Sequence, residues 1–103
     1  MPLRVSAWRA AVAGLILAGA GCATAVPVQE MSNARQAVRA AEEVDAARYA
    51  PLPMRRARIL LEQARLKLEA GDYRQARAFA LDARRAAYRA RQQALAGART
   101  AAW

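Results

Sequence analysis

The sequence predicts an all-α protein: a cleavable signal segment, then an alanine-rich antiparallel helical hairpin of coiled-coil type, preceded by one further helix. Three observations predict this. Alanine, the strongest helix former, supplies much of the 56% hydrophobic content, while Gly and Pro number only 5 and 4. Tyr73, Ala76, Ala80, Ala83, Ala87, Ala90 and Ala94 recur at alternating spacings of three and four, a period of 3.5 suited to close helix pairing. A two-residue Gly71-Asp72 join before Tyr73 leaves little choice but to reverse the chain.

Residues 1–21 read as a signal peptide. Arg4 and Arg9 give a basic start, and Val12, Leu15, Ile16 and Leu17 give a short apolar stretch. That stretch is too short and wrongly flanked for a stable membrane span. Gly19-Ala20-Gly21-Cys22 follows, which resembles a lipobox, although Gly19 stands where that signal prefers an aliphatic residue. The resemblance implies cleavage between Gly21 and Cys22 and acylation of Cys22. An ordinary cleavage leaving a free thiol, and an uncleaved anchor, are the competing fates. Ala23, where Asp would resemble an inner-membrane retention signal, suggests the outer membrane.

Residues 22–29 then form a linker held extended by Pro27, spanning at most about 25 Å. The helical domain is expected over 30–97. Its first helix, about 30–48, has Asn33 and Gln36 as a cap pair, with an earlier start left open, and Ala34, Ala37, Ala41 and Val44 as a thin apolar stripe. Pro51 and Pro53 disfavour helical geometry at Ala50 and Leu52, so the second helix is expected from Pro53 to Ala70. It carries Ala57, Leu61, Ala64 and Leu68 on one side, with Leu60 beside them. Gly71 suits the left-handed position after the helix, and Asp72 the cap of the next, with Gln75 three residues on. The third helix is expected over 73–96, with Gly97 as its stop and 98–103 a frayed tail.

The run Tyr49-Ala50-Pro51, then Ala57, Leu61 and Ala64, then Gly71-Asp72-Tyr73, then Ala76, Ala80 and Ala83, resembles the domain of unknown function 4398 family. The likeness covers about residues 28–96. It implies a small alanine-rich helical protein of the Gram-negative envelope, found alone as a lipoprotein or ahead of peptidoglycan-binding domains. Too few residues follow the hairpin here for such a domain, so that activity is not carried over. The family has no agreed biochemical role. The Gly71-Asp72-Tyr73 turn also resembles part of a tetratricopeptide repeat, but it occurs once, where a stable stack normally needs about three units.

The chemistry-bearing residues are few. One cysteine allows no internal disulfide. The absence of histidine removes the usual zinc sites and the Ser/His and Cys/His pairs. No catalytic residue, metal or cofactor is expected. Glu42, Glu43, Asp45, Glu62 and Asp82 each have an arginine three or four residues away and read as surface helix pairs. Tyr49, Tyr73 and Phe79 are expected to pack at the turns and along the seam, and the terminal Trp103 reads as incidental.

Lys and Arg total 17 against 8 Asp and Glu, a net charge of +9. Such a balance favours polyanions, although arginine beside abundant alanine is also what a GC-rich codon supply produces. Arg74, Arg77, Arg84, Arg85 and Arg91, with Tyr88 among them, fall on the side of the third helix away from its alanine seam. They could contact anionic lipid or lipopolysaccharide, or could simply be a solvated face whose stems cover apolar surface. The expected role is a non-enzymatic envelope lipoprotein working through helix–helix contacts with a helical partner or with itself. Its expected place is the periplasmic face of the outer membrane, held by acyl chains on Cys22. Nucleic acid is not an expected partner, because the export signal would then have to be spurious.

Overall fold

The computed structural model describes residues 25–101. The signal segment, the Gly21–Cys22 junction and Trp103 lie outside them. The described chain is helical, with α1 over Val28–Glu43, a single turn α2 over Ala46–Tyr49, α3 over Pro51–Glu69 and α4 over Tyr73–Ala101. No strand occurs among the described residues.

The α3–α4 turn forms as its residues demand. Gly71 has φ +79, the left-handed region where a Cβ would be strained. The Gly71 N–H donates to the Leu68 carbonyl at 3.1 Å and the Asp72 N–H to the Lys67 carbonyl at 2.9 Å, closing the end of α3. Asp72 Oδ1 accepts the Gln75 N–H at 3.2 Å and so satisfies an otherwise unpaired donor of α4. The join therefore caps two helices within two residues.

Helix α4 is the element against which the others pack. Ala76, Ala80, Ala83, Ala87, Ala90 and Ala94 are all fully buried, as the alternating spacing predicts, and Ala86 widens the stripe. The wider stripe has a plain cause, since α4 contacts both α1 and α3 extensively while those two meet each other far less. Helix α3 runs antiparallel to α4: Ala64 meets Ala80 and Ala83 near one end, and Met54 and Ala57 join the cluster of Ala87, Ala90 and Ala94 toward the other. Helix α1 runs parallel to α4, with Met31 and Ala34 beside Ala80 and Ala83, and Val38 and Ala41 further along. Short side chains let the backbones approach closely, which is what an alanine seam contributes in place of buried area.

The structure departs from the sequence expectation at five points. The first helix starts at Val28, and Asn33 and Gln36 lie inside it. Asn33 accepts a hydrogen bond from Gln29 at 2.9 Å, and Gln36 donates to Ser32 at 3.2 Å. The buried line of α1 is Met31, Ala34, Val38 and Ala41, so it begins a turn earlier than the expected stripe, and Ala37 and Val44 only flank it. The helix then breaks at Val44–Asp45, where Asp45 takes φ 59, a left-handed conformation aspartate tolerates better than most residues. The break re-aims the chain so that Ala46 and Ala50 are buried near Ala90 and Ala94.

The second helix begins at Pro51, and Leu52 is helical rather than extended. Both prolines sit in the first turn, where a missing N–H leaves no bond unmade. Ala50, at φ −143, is the residue that stays non-helical. Finally, Gly97 does not stop α4, which continues to Ala101. A Cβ at Gly97 would lie 3.4 Å from the Tyr49 Cβ. The glycine makes room for Tyr49, as an internal close approach rather than a terminus.

Candidate functional site

The arginine-rich flank of α4 is divided by its surroundings. Arg77 turns back onto α1, its Nε donating to Glu30 Oε1 at 3.2 Å and its Nη2 to the Ala25 carbonyl at 3.4 Å. It clamps the start of α1 to α4 and is less exposed than the other paired arginines. Arg74 is exposed at the start of α4, away from the rest.

Arg84, Arg85, Tyr88 and Arg91 are brought together. They line an open trough of about 640 Å³ between α4 and α1, with Leu81 beside them and Ala37 and Ala40 on the α1 side. The trough exists because α1 presents only methyl groups next to the seam, while α4 presents Leu81 and Tyr88 one heptad apart. Tyr88 stands 61% exposed as part of the wall. Arg89 also lines it and was missed from sequence, because on a helical projection it falls outside the arginine strip; its reach is a matter of its long side chain.

A second hollow of about 400 Å³ lies toward α3, with Pro53, Arg56, Asp82 and Gln93 among its walls. Arg85 and Arg89 border both hollows and so form the ridge between them. Arg85 reaches Asp82 at 3.5 Å, a loose and exposed pair. Among the described residues, Arg84, Arg89 and Arg91 have no carboxylate within ion-pair distance.

The other ion pairs lie away from the trough. Arg58 of α3 reaches Glu42 of α1 at 3.4 Å, so Glu42 pairs across helices rather than with Arg39. Arg65 bridges Glu62 at 2.6 Å and also contacts Glu69. The Arg65 hydrogen bond holds the Glu62 carboxyl below the usual glutamate range, and the same bond raises Arg65 above the usual arginine value. Both groups are exposed, so the pairing sets local charge order on α3 and little else. The Arg48 guanidinium lies 5.2 Å from the centre of the Tyr49 ring, closing the α2 turn. No charged or polar side chain is buried among the described residues.

The model of the Domain of unknown function (DUF4398) family matches residues 29–102. The chain belongs to the DUF4398 family. No curated protein and no solved structure matches it. The DUF4398 span takes in the trough, the Asp45 break and the capped Gly71–Asp72 turn, and it starts beyond Cys22. No helix of the described DUF4398 fold is long and apolar enough to cross a membrane.

Proposed function

We propose that this DUF4398 chain is a non-enzymatic envelope lipoprotein that serves as a structural or protein-interaction module through helix–helix contacts. Acyl chains on Cys22 would hold it at the periplasmic face of the outer membrane. The anchoring half rests on the basic-then-apolar leader and the small residues before Cys22. Acyl chains contribute roughly 0.8 kcal/mol per buried CH₂, so several together make stable attachment.

The interaction half rests on one observation. Leu52, Ile59 and Leu66 are 75%, 54% and 44% exposed and stand seven residues apart on α3. They fall on the opposite side of the helix from Met54, Ala57 and Ala64, which are buried. Single exposed aliphatic residues are ordinary, but three in heptad register make a seam about 21 Å long for another helix. The alanine seam of α4 is already occupied by α1 and α3. This outer line remains open to a partner.

Crosslinking in intact cells tests the reading. A variant carrying Leu52→Gln, Ile59→Gln and Leu66→Gln is expected to lose its crosslinked species while keeping its helical circular dichroism. An unchanged crosslinking pattern would discard α3 as the docking face. Cys22→Ser is expected to move the protein from the membrane fraction to the soluble periplasm. Retention in the membrane would refute the lipid anchor.

The trough favours a second reading, in which the basic side of α4 contacts anionic lipid or lipopolysaccharide. That binding would weaken as salt rises.

A further inference from the structure

The charge of this fold is concentrated on one helix. Helix α4 holds Arg74, Arg77, Arg84, Arg85, Arg89, Arg91 and Arg99, and its single carboxylate is Asp82. Arg77 and Arg85 have carboxylate partners, and Arg84, Arg89 and Arg91 have none among the described residues. Among the described residues, no acidic side chain lines the trough. Arg84 and Arg91 are seven residues apart, as are Leu81 and Tyr88, so cationic and apolar walls run side by side along the same stretch of α4.

A solvated face would need no trough, and a purely electrostatic contact would need no apolar floor. Both are present. We propose that the trough binds the phosphate headgroup of a single anionic membrane lipid. Arg84 and Arg91 take the phosphate, and Ala37, Ala40, Leu81 and the Tyr88 ring cover the carbons next to it. This rests on the second reading above and gives it a defined site.

The chemistry matches each part. Guanidinium groups form forked hydrogen bonds with phosphate and are weakly hydrated, so they lose little on binding. The alanine and leucine floor gains by covering glycerol and the first acyl carbons. A volume of about 640 Å³ lies in the range of small-ligand sites. An acidic partner helix is the rival occupant. The walls from Leu81 to Arg91 extend only about 15 Å along α4, under three helical turns, which is short for a helix–helix seam.

The test uses the full-length chain and dihexanoyl phosphatidylglycerol kept below its micelle concentration, read by amide NMR shifts. Saturable one-to-one binding is expected, with shifts at Ala40 and Tyr88. Ala40→Leu fills the trough without removing charge, and it should weaken binding at least tenfold. Tyr88→Ala alters an exposed wall residue, leaves the core untouched and should weaken binding severalfold, so the result does not hang on one variant folding. Arg84→Gln with Arg91→Gln should abolish saturation, whereas Arg74→Gln with Arg99→Gln removes equal charge elsewhere and should change affinity less than twofold.

Equal weakening by the two arginine pairs, or wild-type affinity in both Ala40→Leu and Tyr88→Ala, would overturn the site. Inorganic phosphate binding as tightly as the lipid would overturn the role of the apolar floor. A designed acidic amphipathic peptide shifting the same amides when the lipid does not would assign the trough to a helix instead. Salt-sensitive binding to phosphatidylglycerol vesicles, kept while the short-chain lipid fails, would leave the broad basic surface standing and remove only the trough.

Discussion

Met54→Ala is expected to destabilise the protein by about 2–5 kcal/mol, more than any other single truncation of the described core. The reason lies in what surrounds it. Among the described residues the buried set is almost entirely alanine, with Pro27, Val38, Met31 and Met54 as its larger members. Met54 is 1% exposed and clusters with Ala46, Ala50, Ala57 and Ala86. Alanine side chains have no rotamers with which to fill a vacated space, so most of the cavity would persist. Met54 also stands where α2, α3 and α4 converge, and its loss loosens all three contacts at once. Total stability in small domains is about 5–15 kcal/mol, so the variant should be partly unfolded near 37 °C. Chemical denaturation measures it through the midpoint at unchanged slope. A loss below about 1 kcal/mol would mean that the helices slide together and close the gap.

The opposite change at the seam should be nearly as costly. Ala87→Leu adds three carbons at a fully buried position in the middle of α4, between Ala83 and Ala90 on the same stripe. The cluster around it includes Ala41 of α1 and Ala57 of α3, so both neighbouring helices stand close. Overpacking of this kind costs about 1–3 kcal/mol, and more where backbones rather than side chains must move. At about 4–8 °C per kcal/mol for a domain of this size, the melting temperature should fall by many degrees. Ala78→Leu, on the exposed side of the same helix, is the control and should melt close to the wild type. Identical melting of the two variants would show that the seam has slack and that close approach is not what organises the fold.

These two variants also separate what is local from what is tertiary in this chain. The hairpin turn was legible because its causes are local. Gly71 meets a backbone requirement that other residues strain to meet, and Asp72 carries its own cap to the Gln75 N–H. The α4 seam was legible because a strict alternation of three and four allows one buried line on a helix. Other local signals misled where burial outweighed them. Asn33 and Gln36 form a good cap pattern, yet burying Met31 requires the helix to begin before it. Gly97 has the look of a stop, yet the space it leaves is taken by Tyr49, forty-eight positions earlier in the chain.

The candidate site divides in the same way. A helical projection places Arg84, Arg85, Tyr88 and Arg91 on one flank of α4 without reference to any other element. It also places Arg77 there, although Glu30 on α1 engages that side chain, and it omits Arg89, which reaches the trough. The Leu52, Ile59 and Leu66 line could not be told from core until α1 and α4 had claimed the other side of α3.

The sequence by itself determined an all-helical chain, the place and capping of the α3–α4 turn, and the buried stripe of α4. Each follows from backbone propensity, capping and period within one or two turns. Only the tertiary structure decided that α1 lies parallel to α4, that the chain breaks at Asp45, and that methyl groups at Ala37 and Ala40 leave a trough beside Arg84 and Arg91. Those outcomes depend on how near two helices come, and that distance is set by side chains far apart in the chain.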